Sequence, residues 1–289
     1  MLLRHLIAAL LTDGSEDPSP PWFAKDVNDF QMLSGTHNIG GKSLTAHKYK
    51  SIMINTQIYL KYLLTRASSL GARNIQAALP TSSSFAGTLR YAADAVTYSN
   101  SENTNPIDAF VNATGINARK LVPDESVFPV RGQTITVKGE ARGITTVDAS
   151  PDNPTPESPN ITYILPRPHS GTTILGGTKQ VGNWSGEANE QTTKEILDRA
   201  RQFAPELLDK HGEFKVLSVQ VGLRPGRKGG ARVEVEEVGL PGQKTGERFV
   251  VCHAYGHAGA GYQNSIGSAR KAVRLLEEYF GSASAKAKL

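Results

Sequence analysis

Residues 248–280 read as one strand–turn–helix unit, and that unit limits the folds open to the chain. A strand over 248–253 (Phe249, Val250, Val251, Cys252) runs into Tyr255-Gly256-His257-Ala258-Gly259-Ala260-Gly261. The three glycines allow close backbone approach. A helix follows at once: Ile266, Ala269, Val273, Leu276 and Phe280 recur at alternating intervals of three and four residues, which makes one apolar helix face. The first turn of such a helix leaves N–H groups unpaired and carries partial positive charge, which suits a phosphate or the electron-rich edge of a ring system. Taken alone, the same turn is more simply a tight connection. The spacing of Gly256, Gly259 and Gly261 is not that of G-x-G-x-x-G.

Other elements are legible upstream. Leu60, Leu63, Leu64, Ala67 and Leu70 predict a helix over 56–70, with Asn55 as its cap and Gly71 as its stop. A short strand is expected at 73–79, a loose polar stretch to 106, and a buried strand at 109–112. Alternation at 131–138 predicts a strand, and Thr162–Leu165 with Thr172–Leu175 a hairpin. Ile196, Leu197, Ala200 and Phe203 predict a helix over 190–203, and further strands are expected at 215–222 and 231–237. Met1–Leu11 is apolar but too short to span a bilayer, and residues 1–21 are expected to form an irregular arm. This order predicts an α+β or α/β chain, a mostly antiparallel sheet inserted into an α/β unit.

Charge narrows the partners. The 289 residues carry 32 Lys and Arg against 27 Asp and Glu, a net charge of +5. The densest basic cluster, Arg224, Arg227, Lys228 and Arg232, fits one small anion and is too local for nucleic acid. No apolar run of 18 residues occurs, so no membrane partner is expected. Cys252 is the only cysteine, so no internal disulfide can form.

Few residues announce chemistry by themselves. Arg224 ends a strand and precedes Pro225, where its guanidinium would present a planar fork matched to a carboxylate. Tyr163, pointing away from Thr162 and Ile164, offers a hydroxyl to the same group. His253 and His257 are four apart, but Gly256 lies between them and no Glu does, so no metal is expected. Gly35 with Gly41-Lys42-Ser43 misses the P-loop spacing by one residue.

In combination the segments are more specific. Val111-Asn112-Ala113-Thr114-Gly115, Val130-Arg131-Gly132-Gln133-Thr134, Tyr163-Ile164-Leu165-Pro166, Leu175-Gly176-Gly177-Thr178, Val221-Gly222-Leu223-Arg224-Pro225 and His253-Ala254-Tyr255-Gly256 through Gln263, in this order, resemble the D-amino-acid oxidase family, its fungal branch especially. The resemblance runs from about Trp22 to the C-terminus. It implies an incomplete Rossmann-type FAD-binding domain made of residues 22–126 and 210–281, a mostly antiparallel substrate-domain sheet and helix at 127–209, with strands 215–237 assignable to either, and a tail at 282–289. It also implies FAD as cofactor and oxidative deamination of D-amino acids to 2-oxo acids, ammonia and hydrogen peroxide, by hydride transfer from Cα to flavin N5. Orientation replaces acid–base catalysis in such a reaction, so no catalytic side chain is assigned.

Carried over residue by residue, the resemblance places Arg224 on the substrate carboxylate and beside the flavin, with Tyr163 assisting and the Gly259 carbonyl near the substrate amine. Thr114 falls near the flavin cofactor, Leu79 at adenine, and Ala258, Gly259, Ala260, Gly261, Tyr262 and Gln263 around the flavin ring and its ribityl chain. The partners implied are a D-amino acid and oxygen, and a homodimer stays open. The closing tripeptide Ala287-Lys288-Leu289 is one substitution from Ser-Lys-Leu, which with this family implies a peroxisomal import receptor and a peroxisomal location, the alternative being cytoplasmic.

Two departures stand out. No strand with a G-x-G-x-x-G turn occurs in these residues, so no cradle for the FAD pyrophosphate is recognisable. The chain as written is therefore expected to bind FAD poorly, to show little activity and to aggregate, and a catalytically impaired remnant that binds small acids or partners is one alternative. Lys179 stands where oxidases of neutral substrates often carry tyrosine, which keeps open a D-aspartate oxidase. Another amine- or glycine-oxidising flavoenzyme of the same fold is the remaining alternative.

Overall fold

The structure, a computed structural model, describes residues 3–13, 19–39, 42–81, 84–99, 106–148, 161–239 and 248–286. Its strands, in chain order, are β1 (Leu3–Asp13), β2 (Asn28–Ile39), β3 (Lys42–Ile54), β4 (Phe110–Asn112), β5 (Val127–Lys138) and β6 (Ile144–Asp148). They continue as β7 (Thr162–Arg167), β8 (Thr172–Gly176), β9 (Gln180–Val181), β10 (Val216–Arg227), β11 (Arg232–Gly239) and β12 (Arg248–Tyr255). The helices are α1 (Thr56–Ser69), α2 (Phe85–Tyr98), α3 (Ala118–Leu121), α4 (Glu190–Ala200) and α5 (Gly261–Lys286). The chain divides into two compact units, one from residues 1–72 and 131–223, the other from residues 73–130 and 224–289.

The first unit is built on a nine-stranded sheet, ordered β10-β5-β8-β7-β6-β1-β3-β2 with β9 paired to β5. The pairs β1–β3, β2–β3, β5–β8, β6–β7 and β7–β8 are antiparallel, and β1–β6 is parallel. Alternate residues of a strand face one side, so Ile135 and Val137 of β5, Ile164 of β7 and Leu175 of β8 form an apolar layer. Ile196 and Ala200 of α4 pack onto it. The α4 face is the one its sequence periodicity predicts. Its N-terminus is capped by Asn189, whose side chain accepts from Thr192 N at 2.8 Å.

Several expectations are corrected. The irregular arm expected over 1–21 contains β1, whose backbone pairs with β3 from Leu3 to Asp13 and with β6 from Ala8 to Thr12. Its ladder partners lie far along the chain, and a short apolar run does not specify strand or helix by itself. Residues Asn28–Ile39 and Lys42–Ile54 form the β2–β3 pair, hidden in the sequence by their polar content. The strand expected at 73–79 is irregular, and the loose stretch expected to 106 contains α2, capped by Ser84 accepting from Gly87 N at 3.2 Å.

Helix α1 forms where expected, yet Leu60, Leu63, Leu64 and Leu70 of its apolar face are exposed. Asn55 holds the cap position without a side-chain cap bond, and its amide donates to the Pro168 carbonyl instead. The borders between the units fall at 72/73, 130/131 and 223/224. The expected 126/127 border is thus four residues early, and 22–72 and 210–223 belong with the large sheet. Continuous strands β5 and β10 carry the chain across two of these borders, which no composition shift marks. The tripeptide 287–289 lies outside the described residues.

Gly176 is set opposite Tyr163 in the β7–β8 pair. A Cβ on Gly176 would stand 2.1 Å from two ring carbons of Tyr163, so the ring rests directly on glycine backbone. Gly176→Ala is expected to lower unfolding stability by about 1–3 kcal/mol through overpacking. Adding Tyr163→Ala should remove most of that increment, and urea melts of the four proteins in the cycle measure it.

Candidate flavin site

The second unit has three layers. The parallel pair β4–β12 and the antiparallel pair β12–β11 give the strand order β11-β12-β4. Successive side chains of β12 point to opposite faces. The Cys252 sulfur lies 3.8 Å from the Ala272 carbonyl of α5. The ring of His253 lies 5.9 Å from that of Phe85 at the start of α2. Helices α5 and α2 therefore cover opposite faces of the small sheet, the layering expected of an α/β nucleotide-binding unit.

On the α2 side lies an open cleft with a cavity volume of about 90 Å³. Leu79, Phe85, Leu89, Val111, Asn112 and Thr114 are among its walls. Leu79 and Thr114, assigned by resemblance to adenine and flavin, thus line one cavity. Asn112 Oδ1 accepts from both the backbone N–H (3.2 Å) and the hydroxyl (2.7 Å) of Thr114. With its proton committed to Asn112, Thr114 Oγ1 keeps lone pairs for a ligand that donates.

At the end of β12 the chain turns through Gly256, whose φ of +86° and approach to Arg227 both require glycine; a Cβ there would lie 2.8 Å from Arg227 Cβ. A short 3₁₀ turn, Ala258–Ala260, then opens α5. His257 Nε2 and Ser268 Oγ, 2.7 Å apart, fasten this turn to the helix. Ala258, Gly259, Gly261, Tyr262 and Gln263 are exposed, so the N–H groups that a first helical turn leaves unpaired are accessible. A Cβ on Gly259 would stand 3.8 Å from Arg224 Cδ. The aliphatic arm of Arg224 therefore runs beside this turn. Tyr163, on β7, and Lys179, between β8 and β9, belong to the first unit.

A chain of linked polar groups, reaching from the buried His253 to the exposed Glu234, underlies the cleft, and the sequence does not reveal it. Asp124 Oδ2 accepts from Arg227 Nε and from the Tyr255 hydroxyl, both at 2.8 Å, and Oδ1 accepts from Ser126 N. Arg232 donates to the Tyr255 oxygen and pairs with Glu234 and Glu236. His253 joins Glu236 at 3.0 Å through Nε2 and Asn112 at 3.1 Å through Nδ1. The signal was present: Arg232, Glu234 and Glu236 alternate on β11, as do His253 and Tyr255 on β12, so all five share one face. His253 and His257, four apart in sequence, have separate partners.

Burial pushes the Asp124 carboxyl up, but the hydrogen bonds from Arg227, Tyr255 and Ser126 outweigh it and hold the group below its ordinary value. Burial, with help from the Arg232 charge, lowers the pKa of His253 against the pull of Glu236. The imidazole is neutral.

Residues 41–275 match the family model described as FAD dependent oxidoreductase. The chain belongs to the FAD-dependent oxidoreductase family. It is 32% identical over 271 residues to a D-amino-acid oxidase of Fusarium vanettenii, covering 92% of this chain and 68% of that protein. Against a D-amino-acid oxidase of Schizosaccharomyces pombe the identity is 32%, over 86% of this chain and 64% of the relative. The chain thus spans about two thirds of the length of these relatives. The crystal structure of glycine oxidase from Geobacillus kaustophilus, 18% identical, superposes with a TM-score of 0.60 over 96% of this chain and 72% of that one, a likeness of fold. FAD is the cofactor of the family, and the residues present suit it: an apolar cleft with one acceptor hydroxyl, and an exposed turn opening a long helix.

Stability has a definite pH dependence. As pH falls below 6.5, the ordinary value for His253, the unfolded chain takes up a proton that the folded state resists. The contribution of His253 is intact above pH 6.5 and is lost as pH falls through its lower folded value. Asp124 acts with the same sign, its contribution present above 3.8 and lost as pH falls through its depressed folded value. Urea melts at pH 8, 7, 6 and 5 are expected to show falling stability, with a flatter slope in His253→Asn.

Proposed function

We propose that this protein oxidises D-amino acids to imino acids, with Arg224 as the group that holds the substrate carboxylate. The observation that carries this reading is the passage of Arg224 beside Gly259, at the turn that opens α5. A guanidinium there is the one fork-shaped donor, among the residues assigned from sequence, able to grip a carboxylate in two-point fashion next to the flavin turn. Two-point grip fixes the substrate in rotation as well as position, and orientation of the Cα–H bond is what such a reaction needs. When bound, FAD would supply the two-electron acceptor, with oxygen as the final acceptor and hydrogen peroxide as its product, and water would hydrolyse the released imino acid to a 2-oxo acid and ammonia. The names of the relatives, D-amino-acid oxidases at 32% identity, support the same substrate class.

The walls of the cleft divide the cofactor work. Leu79 and Phe85 give apolar surface to a planar heterocycle, and Thr114 accepts from a donor on it. The exposed turn 258–263 offers backbone N–H groups to the electron-rich part of the flavin. Lys179 is proposed to favour a substrate with a second carboxylate. The tripeptide Ala287-Lys288-Leu289 is proposed to direct the protein to peroxisomes, which a fluorescent fusion with and without the last three residues reads directly.

Assayed with saturating FAD to offset weak cofactor binding, the full chain is expected to show low but D-specific oxidation with peroxide release; no turnover on either the D- or the L-series refutes the reading. Arg224→Lys and Arg224→Ala should lose a charge-assisted pair worth about 1.5–3 kcal/mol, or roughly ten- to hundred-fold in kcat/KM. Unchanged kinetics in both variants remove Arg224 from the site. Lys179→Tyr should move the preference from D-aspartate and D-glutamate toward neutral D-amino acids, and a parent enzyme that already prefers D-valine overturns the role of Lys179.

A further inference from the structure

His253 is excluded from water, is not itself a lining residue of the cleft, and is not used by the proposed reaction. Its hydrogen bonds nevertheless admit only one arrangement of protons. A backbone N–H can only donate, so the Asn112 atom facing Thr114 N is the oxygen. The amide nitrogen of Asn112 is then the atom facing His253 Nδ1, and since that nitrogen donates, Nδ1 must accept. The proton of the neutral imidazole sits on Nε2 and points to the Glu236 carboxylate, which can only accept. Both ends of the chain are unambiguous and they agree.

We propose that Glu236 and His253 are positioning residues for the cofactor: Glu236 fixes the tautomer of His253, His253 fixes the side-chain amide of Asn112, and Asn112 fixes the Thr114 hydroxyl as an acceptor facing the cleft. The inference rests on the reading of that cleft as part of the flavin site. Glu236 stands on β11, away from the cleft lining, and its side chain is 40% exposed, so it acts on the ligand only through this series of bonds. Without its carboxylate, Nε2–H loses its acceptor, and the Arg232 guanidinium, whose charge bears on the ring, is released from its bond to Glu236. A guanidinium is a donor, and it calls for the opposite tautomer. Proton on Nδ1 in turn requires the Asn112 oxygen, which rotates the amide nitrogen onto Thr114 N–H. Two donors then face each other, and the threonine backbone and hydroxyl lose their common acceptor.

Glu236→Ala and Glu236→Gln separate this from a merely structural role, because glutamine keeps an acceptor oxygen at the same reach. In the parent and in Glu236→Gln, the ¹⁵N resonances of the His253 ring should report the Nε2–H tautomer. In Glu236→Ala they should shift to Nδ1–H, amide hydrogen exchange at Thr114 should accelerate at least ten-fold, and FAD affinity, read by quenching of flavin fluorescence, should weaken by a similar factor. Equal behaviour of the two variants, or an alanine variant that keeps the parental tautomer and Thr114 protection, overturns the proposal. Thr114 exchange that responds while FAD affinity does not also overturns it. If the ring and amide signals respond as stated while the parent chain itself does not bind FAD, the relay stands and the cofactor reading of the cleft fails.

Discussion

The buried carboxylate of Asp124 is the fixed point of the second unit. One oxygen accepts from the arginine near the end of β10 and from the tyrosine that ends β12; the other accepts from the backbone just before β5. Three strand termini are thereby held by one charge. An unpaired carboxylate at this depth would cost several kcal/mol in desolvation, so each partner is needed to keep the charge there. The turn through Gly256 begins where Tyr255 is anchored, and the placement of residues 258–263 therefore follows from a group that touches none of them.

From that anchor the polar chain extends across β11 and β12 on a single face, while the other face is apolar at Val233, Val235 and Cys252 and carries Glu237, which accepts from Tyr279 of α5. Val233, Val235 and Cys252 look toward α5; Arg232, Glu234, Glu236, His253 and Tyr255 look the other way. Burying the polar atoms of Asn112, His253 and Tyr255 is tolerable only where donors meet acceptors, since a half-satisfied network is less favourable than an apolar one. The reward is specificity of orientation: an apolar face could pack in several nearly equal ways, whereas this face has one proton arrangement.

How much of this was legible in the sequence depended on the range of the interactions. Local periodicity located α1, α4 and α5 and the β7–β8 hairpin, because each is specified by residues within a few positions of one another. It missed β1, whose ladder partners lie far along the chain, β2 and β3, whose polar content conceals a local pair, and α2, whose Ala, Gly and Thr content conceals a good Ser84 cap. Leu79 and Thr114 could be assigned only by resemblance, and the structure brings them to one cleft. Asn112 stands out in the sequence only as part of a motif, and His253 only by its spacing from His257. Their connection depends on the parallel register of β4 and β12, Asn112 opposite His253, and nothing local encodes a parallel register.

Tyr163 illustrates a different economy. Its ring lies flat against the backbone of Gly176, and a Cβ on Gly177 would stand 2.6 Å from its hydroxyl oxygen, so few alternative rotamers remain. A tyrosine in solution surrenders conformational freedom whenever it grips a ligand, and immobilising a side chain on binding costs about 0.5–1.5 kcal/mol. Here the restriction is imposed during folding, by two glycines whose lack of side chains makes room for the ring. Whatever that hydroxyl holds, it holds without a further loss of its own entropy.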